Sequence, residues 1–126
     1  MHPFACFDFP RKPPLSPLDE LLQIELAEAL ENKTHTGCFV PLPAQTGIGK
    51  THSAAALMLE RMLARIEAEL TGEERPGPVS YMTSTVDNVQ SAFRLLQLLI
   101  ETQTLDDKPR FTNDQQAYLL SRIIYL

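Results

Sequence analysis

The sequence predicts an α/β fold, organised as a β-α-β core with a leading helix. Three observations carry that expectation. Two short apolar runs of strand length, "CFVPLP" (38–43) and "VSYMT" (79–83), alternate with longer segments whose leucines and alanines recur at helical spacing. A glycine-bearing stretch, "AQTGIGKT" (44–51), joins the first run to the helical segment that follows it. The 126 residues, 44% hydrophobic and 21% charged, supply one modest core and not two domains. Alternation of this kind builds mostly parallel sheets with helices on their faces.

Residues 1–15, rich in proline and aromatics, read as an irregular N-terminal segment. The first helix is expected over "SPLDELLQIELAEALEN". Ser16 suits the N-cap, Pro17 the first helical position and Asp19 the answering site. Leu18, Leu22, Leu26 and Leu30 share a face, joined by Leu21 and Ala29, and the helix should stop near Asn32. Pro41 and Pro43 then interrupt the first strand candidate, which shortens or bulges it because proline has no amide hydrogen for a ladder.

After the glycine loop, "THSAAALMLERMLARIEAEL" carries an apolar stripe of Ala55, Leu59, Met62, Leu63, Ile66 and Leu70, with Glu60, Arg61, Glu67 and Glu69 mainly outside it. "TGEERPGP" reads as a solvated connection to the second strand candidate. The next helix, "STVDNVQSAFRLLQLLIETQ", has Ser84 as its cap and Asp87 as the cap's partner, and turns Val86, Val89, Phe93, Leu96 and Ile100 inward. "TLDDKPRF" is a polar break. Thr112, with Gln115 three positions on, then opens a final helix, "NDQQAYLLSRIIYL". Two strands are narrow support for this many amphipathic helices, so the pattern predicts the front of a larger domain.

The stretch from Ala44 to Thr51 fits the phosphate-loop pattern in which alanine replaces the first glycine. Gly47 and Gly49 allow the tight turn that brings amide hydrogens to phosphate oxygens. The following helix points its N-terminus at the same oxygens. Lys50 is placed to reach the outer phosphates, and the Thr51 hydroxyl to coordinate Mg2+. The competing reading, a glycine turn with a surface lysine, explains neither the spacing nor the position between an apolar run and an amphipathic helix.

The wording "AQTGIGKT" resembles motif I of superfamily 2 helicases and translocases, A-x-T-G-x-G-K-T. That resemblance implies a partial RecA-like P-loop NTPase domain, with residues 16–126 forming an incomplete helicase ATP-binding domain. In this family ATP sits between two such domains, and its hydrolysis drives movement along DNA or RNA. Carried over, Ala44, Gln45, Thr46, Gly47, Ile48, Gly49, Lys50 and Thr51 would bind ATP, with Thr51 on Mg2+. Gln23, followed by Ala27 and Leu30, is similar to the upstream glutamine that reads adenine in many members; the alternative is an ordinary polar-face residue.

"VSYMTSTVDNVQSA" looks like motif Ia, whose threonines touch the nucleic-acid backbone, so Thr83 and Thr85 would do so here. Ser84 stands where the family commonly has proline, and helix capping is the alternative role for Ser84 and Thr85. The resemblance spans roughly residues 17–101 and points to DEAD/DEAH-like helicases or to the motor subunits of type I and type III restriction enzymes. DNA is the expected nucleic acid, within a larger helicase or restriction complex.

The family's acidic D-E-x-H or D-E-x-D motif does not follow Thr51 in this sequence. "LDD" (105–107) reads as solvated turn residues, so little hydrolysis is expected of this chain alone. Two other classes stay open: a small P-loop phosphotransferase, and a non-enzymatic accessory fragment that docks on a larger ATPase. A net charge of −5 argues against a dominant, sequence-independent grip on nucleic acid, though not against a local basic face. Cys6 and Cys38 read as reduced thiols in a cytoplasmic protein, and no stretch has the roughly 18 apolar residues of a membrane helix. His2, His35 and His52 form no metal-ligand spacing with them.

Overall fold

The molecule is seen in a computed structural model that describes residues 2–9, 12–14, 17, 20, 21, 23, 24, 28, 50–74 and 86–123. Three helices and one small hairpin occur in the described residues: α1 (Lys50–Thr71), α2 (Val86–Thr102), β1 (Thr104–Leu105), β2 (Lys108–Pro109) and α3 (Asn113–Ser121). Positions 17, 20, 21, 23, 24 and 28 are also helical, where the leading helix is expected. The two strand candidates, 38–43 and 79–83, lie outside the described residues.

Helix α1 buries Ala55, Leu59, Leu63 and Ile66, the centre of the stripe read from the sequence. These residues recur at three- and four-residue steps, so they fall on one face. Leu70, at the end of the stripe, is 40% exposed. The helix stops where Gly72 adopts φ 76°, a left-handed conformation that glycine enters without steric penalty. The Glu73 amide then donates to the Ala68 carbonyl at 3.1 Å, which closes the wide turn of a Schellman end.

Helix α2 packs against α1 through Ala92, Leu96 and Ile100, with Val89, Phe93, Leu95 and Leu99 half-buried beside them. It ends with the Gln103 amide bonded to the Leu99 carbonyl at 3.0 Å. The sequence's polar break then forms an antiparallel hairpin pairing Thr104 with Pro109 and Leu105 with Lys108. Asp106 and Asp107 make its two-residue turn at φ 54° and 62°, the mirror-image geometry that fits strand twist. Pro109 sits at a ladder position that needs no amide hydrogen, and the next bond runs from the Arg110 amide to the Gln103 carbonyl at 2.9 Å.

Aspartate tolerates left-handed backbone less well than glycine. Replacing Asp107→Gly is therefore expected to raise stability by about 0.5–1 kcal/mol, the relief of left-handed strain less the entropy of a freer unfolded chain. A higher denaturant midpoint with an unchanged slope would show it; a lower midpoint would mean that the turn carries no such strain.

Helix α3 begins with a full capping box. Thr112 Oγ1 accepts from the Gln115 amide at 3.2 Å, and Gln115 Oε1 accepts from the Thr112 amide at 2.9 Å, as the sequence predicts. The helix is shorter than predicted, ending at Ser121 with Arg122 as its C-cap.

Residues 2–9 contain neither helix nor strand, and Phe4 among them is fully buried and belongs to the central core with Leu59, Ile66, Ile100, Phe111 and Leu119, a packing role that no periodicity announces. Phe4 and Phe7 meet edge-on with centroids 5.2 Å apart, and Phe7 stacks on Phe111 at 5.5 Å. Residues 2–9 therefore form an arm that closes the core over α3 and the hairpin. Gln115 Nε2 ties it down by donating to the Pro3 carbonyl at 2.9 Å.

Two ion pairs brace the surface of α1. Arg110 grips Glu60 with both terminal nitrogens at 2.7 and 3.2 Å, and donates to Gln103 Oε1 at 2.8 Å. Arg122 grips Glu69 at 2.7 and 3.2 Å and donates to the Tyr118 oxygen at 3.3 Å. The hydrogen bond it donates to Glu69, against a smaller opposing effect of burial, holds the Arg122 guanidinium above its ordinary range, so this cation keeps its charge at any working pH.

Candidate functional site

Lys50 and Thr51 occupy the first turn of α1, directly after the glycine loop of the sequence. Amide hydrogens of a first helical turn lack intrahelical acceptors, and the aligned peptide dipoles add partial positive charge there. The three helices treat this end differently. Asp87 lies in the first turn of α2 and Asp114 in that of α3, each a carboxylate that complements the dipole. Helix α1 has no acidic residue in its first turn and starts on a lysine. An incoming phosphate meets no carboxylate on that turn.

The rest of the turn anchors it. Ser53 is 1% exposed, and Ala55 and Ala56 are buried, so the helix start is packed against the protein while His52 faces outward. Ala44, Gln45, Thr46, Gly47, Ile48 and Gly49 lie outside the described residues.

Gln23 falls on a helical position and is 7% exposed, whereas its neighbours Leu21 and Ile24 are 53% and 49% exposed. Its helix thus turns a polar amide inward and two apolar side chains outward, the reverse of what hydropathy alone would place there. Thr83, Ser84 and Thr85 lie outside the described residues; α2 starts immediately after them, at Val86.

Asp106 and Asp107 stand at the exposed tip of the hairpin, in keeping with solvated turn residues. Among the described residues no group of three or more His, Cys, Asp or Glu side chains is arranged to hold a metal ion. No helix among them is long and apolar enough to cross a membrane.

One concavity was not anticipated from the sequence. An open groove of about 370 Å³ separates the arm from the hairpin, with Cys6, Phe7 and Asp8 on one wall and Asp106, Lys108 and Arg110 on the other. It contains none of the residues that the phosphate-loop motif nominates. Nothing in the local sequence flags it, because its walls are brought together from the two ends of the chain. No protein-family model matches this chain, and no curated protein matches it.

Proposed function

We propose that the chain is part of the ATP-binding unit of a superfamily 2 helicase-like motor, which grips the phosphates of ATP with "AQTGIGKT" and Mg2+ with Thr51. One observation carries the reading: a 22-residue helix begins at Lys50, the lysine of the motif, with no acid in its first turn. That start supplies the orphan amides and positive field that the motif's chemistry needs. Gly47 and Gly49 would wrap the phosphates, Lys50 would neutralise the outer two, and Gln23 would read the adenine edge from a largely buried position. In the complete motor, Thr83 and Thr85 would face the backbone of nucleic acid, with DNA the expected substrate. No D-E-x-H or D-E-x-D motif follows Thr51 within these 126 residues, so the reading assigns them nucleotide binding and leaves hydrolysis unassigned.

A second reading, an accessory fragment that docks on a larger ATPase, draws on the outward Leu21 and Ile24, three positions apart at helical sites. Co-purification with such an ATPase would support it, and a monomer that binds ATP unaided would favour the first reading.

The direct test is titration of the full chain with a fluorescent ATP analogue, with and without Mg2+. Binding is expected to weaken at least tenfold in Lys50→Ala, corresponding to the loss of a charge-assisted contact worth about 1.5–3 kcal/mol. Equal binding by the variant, or none by the parent chain, would overturn the assignment. Far-UV circular dichroism of the variant separates loss of the site from loss of α1.

A further inference from the structure

We infer that the outward face of the leading helix docks a basic amphipathic helix of a partner protein, an inference that rests on the docking reading above and names the chemistry of its partner. Pro17, Leu21, Ile24 and Glu28 are helical and exposed. Their four-, three- and four-residue steps set them on one side of the helix, in a strip about 16 Å long. Glu20 is exposed beside it, whereas Gln23, off the strip, is 7% exposed. Among the described residues the exposed large apolar side chains are Leu21, Ile24, Leu70 and Leu98. Leu21 and Ile24 are the two that share a helix.

Charge decides what fits this strip. The segment from Ser16 to Asn32 contains Asp19, Glu20, Glu25, Glu28 and Glu31 and no lysine or arginine. The chain has 16 acidic and 11 basic residues in all, a net charge of −5. The acids and bases outside this segment therefore balance, and the whole excess of negative charge falls within it. Glu20 and Glu28, both exposed, bracket Leu21 and Ile24 along the helix. An acidic partner, or a second copy of this chain, would bring like charge to the strip, which opposes association. A cationic partner is drawn in by the field of the segment.

The spacing selects the partner's shape as well. Steps of four and three along one side make the rows against which a second helix packs at a small crossing angle. A partner helix with an apolar side would cover Leu21 and Ile24, and lysines or arginines flanking that side would reach Glu20 and Glu28. Apolar anchors then supply affinity, and the flanking charges supply orientation and encounter rate. Two exposed apolar side chains make a small contact, so the complex belongs to the transient class and its association depends on salt.

Titration of the full chain with a labelled amphipathic helical peptide of leucine and lysine, about 18 residues long, followed by fluorescence anisotropy, tests the face. The parent chain should bind it, and Leu21→Ser/Ile24→Ser should bind about tenfold more weakly for want of the apolar contact. Both positions are exposed, so this variant keeps its fold, which far-UV circular dichroism checks. Leu98→Ser, as exposed on α2 as Leu21 is on the leading helix, should bind like the parent. Glu20→Gln/Glu28→Gln should bind more weakly and with a flatter salt dependence. A peptide of leucine and glutamate in the same pattern should not bind. No binding of the lysine peptide, unchanged binding in either double variant, or an equal loss in Leu98→Ser would overturn the proposal. A parent chain that sediments as a dimer, with Leu21→Ser/Ile24→Ser a monomer, would overturn it in favour of a second copy. A larger ATPase that still co-purifies with Leu21→Ser/Ile24→Ser would keep the docking reading and overturn this face as its seat.

Discussion

Replacing Arg110→Ala is expected to lower the stability of the chain by about 3 kcal/mol, at the lower end of the range for breaking a buried ion pair. The Arg110 side chain is 1% exposed and bonds both Glu60 and Gln103. Removing it leaves the Glu60 carboxylate facing a void where a guanidinium had been. Glu60 keeps 23% exposure, so water reaches it and tempers the penalty, which is why the lower end applies. The contact also has an apolar side: the guanidinium lies 5.1 Å from the centre of the Phe111 ring, which adds a cation–π contribution. A double-mutant cycle with Glu60→Gln isolates the charge pair from that packing. Denaturant midpoints at neutral pH give the result, and a change within about 1 kcal/mol would place the pair among solvated surface bridges.

That buried arginine marks the limit of what sequence periodicity discloses. Ala55, Leu59, Leu63 and Ile66 announce α1 because their spacing is the helix's own, and the capping box of Thr112 and Gln115 is legible because both partners lie within four residues. Arg110 sits in a polar run with no period, and its partner Glu60 is 50 positions away. Charge alone would put both on the surface. The Asp106–Asp107 turn hides for another reason. The mirror-image geometry is normally signalled by glycine or asparagine, and two aspartates there give no such cue.

The candidate site divides along the same line. The glycine loop, its lysine and its threonine are contiguous, so a local motif names them, and the helix starting at Lys50 is where that motif requires one. The burial of Gln23 beside outward Leu21 and Ile24 could not be read locally, because the face a helix turns inward depends on what packs against it. The groove between arm and hairpin is invisible in one dimension for the same reason. What remains of the site, residues 44–49 with Thr83 and Thr85, belongs to the predicted strand ends, and these lie outside the described residues.

Replacing Phe4→Ala is expected to destabilise the chain by about 3–5 kcal/mol, the range for emptying a buried phenylalanine site. The composition of residues 2–9, with a proline and three phenylalanines and no helical or strand period, reads as an irregular segment and does not say where it packs. The packing places it in the core. Phe4 is 0% exposed, and its ring lies 5.2, 5.8 and 6.1 Å from those of Phe7, Tyr118 and Phe111. The contacts with Phe7 and Phe111 are edge-on and that with Tyr118 is tilted, and aromatic pairs of this kind add to the hydrophobic term. Truncation at Phe4 therefore removes a centre of the core and not the end of a tail. Phe9, half-buried at the edge of the same cluster, should lose less when changed to alanine, and Phe4→Leu less again because it refills most of the volume. Since whole domains are stable by only about 5–15 kcal/mol, Phe4→Ala should lower the denaturant midpoint markedly while the helical circular dichroism at zero denaturant persists. Equal effects at Phe4 and Phe9 would show that the arm rests on the surface and that α1, α2 and α3 close the core without it.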